Sequence, residues 1–116
     1  MKKPNLYIRF LKLVEALNSK SNIRKLDSTE DQLLDNIMVD NLEGRSVFVG
    51  DLLGLKDLGS QATLHGRVKN LRYLGYIELI TQDDARRKRV MPTLLAYKRF
   101  ELLSACVEQA LQPSLK

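Results

Sequence analysis

The sequence predicts a mainly α-helical fold carrying one small β-hairpin, and the stretch from Ser60 to Pro92 supplies three observations that point to it. From Ser60, a residue type that caps helices, Leu64, Val68, Leu71 and Leu74 recur at intervals of four, three and three, the spacing of one buried helix face. Gly75 can take the left-handed conformation that closes a helix, and Tyr76-Ile77-Glu78-Leu79-Ile80 has the composition of a strand. A polar stretch from Thr81 to Lys88 follows, with the unbroken basic run Arg86-Arg87-Lys88-Arg89, before Val90-Met91 makes a short return strand.

The flanking elements follow the same periodic logic. Pro4, with Leu6, Phe10, Leu13, Val14 and Leu17, predicts a first helix over about residues 5–18, and Tyr7, Ile8 and Leu11 widen its apolar surface beyond one stripe. Ser19 to Lys25 reads as a basic linker. Asp27 with Glu30 three residues on forms a capping box, opening a helix with Leu33, Leu34, Ile37 and Met38 inward and a break at Asn41 to Arg45, where Gly44 supplies the turn. Ser46 to Leu53 reads as a short helix capped by Ser46, although Val47, Phe48 and Val49 also suit a strand and Gly50 weakens a helix. Gly54 to Gly59 is a turn offering Leu55 and Leu58 to the core. Thr93 caps a last helix over residues 94–111, ended by Pro113.

At 116 residues the chain is one domain's worth of material, with 44% hydrophobic and 28% charged residues. The net charge of +5 and pI near 9.5 favour an anionic partner. Residues 27–51 hold seven acidic residues and one basic one, whereas residues 52–99 hold ten basic and four acidic, so the positive charge gathers on the helix-and-hairpin half. A helix, a hairpin and a basic tip in that order form a device for holding duplex DNA.

That order resembles the winged helix-turn-helix of the multiple-antibiotic-resistance (MarR-type) regulators, over roughly residues 26–93. In that family a recognition helix ends at Gly before a hydrophobic strand, and the wing carries Asp-x-Arg. Asp84-Ala85-Arg86 followed by Arg87-Lys88-Arg89-Val90 matches the wing, while Thr63-Leu64 and Leu71 through Gly75-Tyr76-Ile77 match the helix-to-strand pattern. Three departures stand out. Arg87 occupies a position where an acid is common, Thr93 is followed by Leu94-Leu95-Ala96 rather than by Gly two residues on, and the sequence ends before the further C-terminal helix usual in the family.

The resemblance implies a winged-helix domain spanning 1–116, in which Ser46–Leu53 positions and Gln61–Leu74 reads. It also implies a homodimer in which the helices over 5–18 and 94–111 pair, and both carry more apolar residues than one small core needs; excess packing within a monomer is the alternative. With Leu64, Val68 and Leu71 inward, Gln61, His65, Lys69 and Arg72 lie outward. Gln61, Ala62, Thr63, His65 and Arg67 are the expected base contacts: Gln61 can pair bidentately with adenine, and Ala62 or the Thr63 methyl can touch a thymine methyl. Gly66 leaves room for close approach. Lys56, Lys69, Arg72, Arg87, Lys88 and Arg89 are expected at phosphates, which position without reading sequence, or else simply face water. By resemblance, Asp84 fixes the wing and Arg86 enters the minor groove.

Other chemistries find little support. His65 alone is no metal site, Asp83-Asp84 lacks ligand-spaced partners, and Ser60, His65 and Asp57 give no nucleophile, base and oxyanion arrangement, so neither an enzyme nor a cofactor is expected. Cys106, the single cysteine, reads as a small buried hydrophobe. No secretory signal or long apolar run is present, which makes a cytoplasmic address the default and a membrane partner unexpected. The sequence thus points to a duplex-DNA-binding transcriptional regulator, with repression favoured and a small-molecule effector left open. The rivals are a winged-helix protein-interaction module and a non-specific DNA-architectural protein.

Overall fold

A computed structural model describes residues 5–20, 25–81 and 87–112. Their order is α1 (Leu6–Lys20), α2 (Ser28–Leu42), β1 (Val47–Phe48), α3 (Val49–Leu53), a single 3₁₀ turn (Lys56–Leu58), α4 (Gln61–Tyr73), β2 (Ile77–Thr81), β3 (Lys88–Pro92) and α5 (Leu94–Leu111). The chain forms two compact units: Leu26–Ala96 makes one, and α1 together with α5 from Tyr97 onward makes the other. The winged helix lies wholly in the first of these.

The capping box predicted at Asp27 is present, and α2 buries Leu33, Leu34, Ile37 and Met38 as its spacing requires. At its end Gly44 adopts φ +80°, and Arg45 donates to the Asp40 carbonyl at 2.9 Å. The Arg45 guanidinium also meets Asp40 at 2.8 Å and Glu43. The Asp40 hydrogen bond, then the Glu43 charge, holds it more firmly protonated than a free arginine.

The helix expected from Ser46 to Leu53 is corrected. Val47 and Phe48 form a short strand pairing antiparallel with β3, Val47 opposite Val90 and Phe48 opposite Arg89. The free edge of β3 takes these backbone groups, and Val47, 5% exposed, joins the core from that position. The helix starts only at Val49, with Phe48 and not Ser46 at the cap position, and Phe48 donates its N–H to Asp51 Oδ2 in the first turn at 2.9 Å. The predicted hairpin is therefore two strands of a three-stranded sheet in the order β1-β3-β2. Its return strand is also longer than Val90-Met91, with register pairs from Ile77 and Pro92 to Thr81 and Lys88.

In α4, Ser60 Oγ accepts from the Thr63 N–H at 3.1 Å and Leu64, Val68 and Leu71 are buried. The helix closes at Gly75, whose φ of +89° lets its N–H reach the Arg72 carbonyl while the Tyr76 N–H reaches that of Leu71, each at 3.0 Å. Tyr76 stands just outside β2 and is 1% exposed. Thr93 joins both ends of the hairpin: its N–H donates to the Tyr76 carbonyl at 3.0 Å and its hydroxyl donates to that of Gly75 at 2.6 Å. The same oxygen accepts from the Ala96 N–H at 3.3 Å, making Thr93 the cap of α5. Within the first unit α2 packs on α4 and β3, and α3 on α4.

In the other unit Arg9 Nη2 donates to the Gln112 carbonyl at 2.7 Å. Cys106 is buried, as its apolar surroundings predict. Helix α1 continues to Lys20, into the stretch read as a linker, and residues 21–24 lie outside the described residues.

Candidate nucleic-acid interface

One face of α4 is spent on the core, so the opposite face is what the unit offers. Gln61, Ala62, Thr63, His65, Gly66, Lys69 and Arg72 are all exposed. Strand alternation then decides which basic residues of the hairpin face the same way. Lys88 shares its face of β3 with Val90 and Pro92, while Arg87 and Arg89 point to the other.

The result is a hollow of about 200 Å³ lined by His65, Val68, Lys69 and Arg72 of α4, Val49 of α3, Leu79 of β2 and Lys88 of β3. Val49, Val68 and Leu79 make its lining apolar, and Lys69, Arg72 and Lys88 add positive charge. A second, more open hollow of about 580 Å³ lies at the start of α4, between Lys56, Gln61, Ser60, Gly59, Gly54 and Leu53. Lys56 thus stands beside the leading end of the helix. Of the residues singled out in the sequence, Lys56 and Gln61 line the second hollow and His65, Lys69, Arg72 and Lys88 the first.

Others are placed differently. Arg67 lies on the flank of α4, with Nε 2.7 Å from Asp27 Oδ2 in an ion pair rather than an aligned hydrogen bond. Arg87 sits over the Phe48 ring, its guanidinium carbon 3.8 Å from the centroid. Arg89 is half-buried beside it, and its Nε makes no hydrogen bond. Asp84 and Arg86, the expected wing pair, fall outside the described residues.

Sequence reasoning missed Phe48 as the support of Arg87, because it left Phe48 between helix and strand and only the pairing with β3 brings the two together. It also missed Asn70, whose Nδ2 donates to Glu30 Oε2 across 40 residues of chain. No local pattern signals such a pair; only the packing of α2 on α4 creates it.

Gly66 is open in the sense the sequence suggested, since a Cβ built there meets nothing within 4 Å. Gly66→Ala is therefore expected to raise stability by about 0.5–1 kcal/mol in urea unfolding, because alanine is the better helix former. A loss of stability would place a neighbour against this face.

Among the described residues no helix is long and apolar enough to cross a membrane, and no three His, Cys, Asp or Glu side chains gather as metal ligands. No family model and no curated protein sequence matches the chain. Solved structures do. MepR, a transcription regulator of the Staphylococcus aureus multidrug efflux pump MepA, superposes with a TM-score of 0.62 at 16% identity, over 89% of this chain and 70% of that one. A MarR protein from Peptoclostridium difficile gives 0.55 at 20% identity, over 96% and 72% of the two chains. The fold is that of the MarR-type winged helix. The heme sensor protein PefR from Streptococcus agalactiae, in complex with heme, shares this MarR-type fold with a TM-score of 0.62 at 17% identity, over 94% of this chain and 76% of that one.

Proposed function

We propose that the protein is a cytoplasmic, duplex-DNA-binding transcriptional regulator that recognises sequence, acts as a homodimer and represses by occupancy. One observation carries this reading: the exposed side of α4 and Lys88 of the hairpin line the same hollow, so a single duplex can meet helix and wing together. The net charge of +5 and the fold shared with MepR support it.

In this proposal the leading half of α4 enters the major groove. Gln61 pairs with a base edge, Ala62 and Thr63 offer methyl contacts, and His65 offers a donor and an acceptor. Lys56, Lys69, Arg72 and Lys88 take phosphates, and Arg87 and Arg89 add attraction from the other side of the sheet. Arg67 leaves the base-reading set because its charge is engaged by Asp27. Asp84 and Arg86 keep the wing role that the resemblance implies. Paired copies would prefer an inverted repeat with half-sites roughly 34–36 Å apart.

Selection from random duplexes at physiological salt, followed by footprinting, tests the proposal. The expected outcome is one enriched inverted repeat, with Gln61→Ala shifting preference at one base position by about 1–3 kcal/mol. Enrichment of no sequence, with binding that falls steeply with salt, would replace it by non-specific DNA architecture. No duplex binding at all would leave the protein-interaction reading.

A further inference from the structure

Two side chains on one flank of α4, a turn apart, reach the same place on α2. Arg67 meets Asp27, and Asn70 meets Glu30. Both carboxylates belong to the cap of α2, and their oxygens are divided between two tasks. Asp27 Oδ1 accepts from the Glu30 N–H at 2.8 Å and Glu30 Oε1 accepts from the Asp27 N–H at 2.9 Å, which completes the cap. The remaining oxygens, Asp27 Oδ2 and Glu30 Oε2, face Arg67 and Asn70.

Glu30 is 0% exposed, so its second oxygen has no access to water and depends on the partners the fold gives it. The buried stripe of α4, Leu64, Val68 and Leu71, holds the helix against the core, but burial is non-directional and polar contacts at its flank add a constraint on its roll. The amide-to-carboxylate bond is directional, and the ion pair, though not an aligned hydrogen bond, weakens as its two charges are drawn apart. Set on successive turns, they resist both roll and slide.

We propose that the α2 cap is a positioning device for duplex selectivity: Asp27 and Glu30, through Arg67 and Asn70, set the roll at which α4 presents Gln61 to His65. This rests on the DNA-binding reading above. Short side chains reading base edges tolerate little displacement, whereas the long arms of Lys69, Arg72 and Lys88 can follow a shifted phosphate. Loosening the device therefore lowers selectivity more than general affinity.

The test uses the full chain with Asp27→Ser, Arg67→Ala and the two combined. Serine keeps the helix cap but cannot reach Arg67, and the pair is part-exposed, with side chains 45% and 42% accessible, so folding survives. Affinity is measured for the selected duplex and for a scrambled duplex of equal length. Each single change is expected to lower the ratio of the two by about 3- to 10-fold, and the combination no further than the worse single change, because both remove one interaction. An unchanged ratio, or losses that add, overturns the proposal. If the unaltered chain itself shows a ratio of one, the sequence-specific reading has failed separately. The device is then judged from amide shifts and hydrogen exchange of Gln61 to His65, where Asp27→Ser is expected to alter the spectrum and speed exchange, and spectra identical to the unaltered chain overturn it.

Discussion

Lys69→Ala, Arg72→Ala and Lys88→Ala combined in one chain are expected to cut duplex affinity at physiological salt by about a hundredfold or more while leaving the fold intact. All three side chains are exposed and all line one hollow, so their removal deletes charge from the proposed interface without opening the core. If each neutralises one phosphate, the slope of log affinity against log salt falls by about 2.7, at 0.9 per contact. Fluorescence anisotropy across a salt series measures both quantities. Affinity and slope equal to those of the unaltered chain would take the hollow out of any DNA interface, whereas an equal loss on all duplexes is what phosphate contacts require.

The second large effect lies beneath that surface. Leu64 is 0% exposed, and its Cδ2 lies 3.8 Å from the position a Cβ would take at Gly59, so it packs under the turn that leads into α4. Leu64→Ala is expected to cost about 2–5 kcal/mol of stability by urea unfolding, from lost burial and the cavity left behind. That is a large share of the roughly 5–15 kcal/mol total of an ordinary domain. The connector also loses its support, so duplex affinity should fall even where the chain remains folded. A loss below about 1 kcal/mol would show that the stripe of α4 does not form the core.

These two experiments address the two faces of one helix, and both faces were legible in the residues. The stripe of Leu64, Val68 and Leu71 is buried and the complementary set from Gln61 to Arg72 is exposed, because helical periodicity is a local property of the chain. Caps were legible for the same reason. Asp27 with Glu30, Ser60 and Thr93 each act within three residues of themselves. The expected α5 matches residue for residue. Ser46 to Leu53 was read less well, since two residues cannot declare themselves a strand; Val47 and Phe48 become one only when Val90 and Arg89 lie alongside.

The basic run shows the same division. Composition placed four cations together at Arg86 to Arg89, but strand alternation sends Lys88 toward α4, and Arg87 rests on Phe48. Arg67, at the side of the helix, was expected at a base, yet its guanidinium meets Asp27 at the cap of α2.

Residues within one or two turns of each other were enough to define the four long helices, the caps at Asp27, Ser60 and Thr93, the inward face of α4 and the polarity of its outer face. Tertiary structure alone decided that β1 joins the sheet, that Lys88 shares a hollow with His65, Lys69 and Arg72, and that Arg67 and Asn70 bind the cap of α2. Those pairs are distant in the chain, and only burial of the common core brings their side chains within reach.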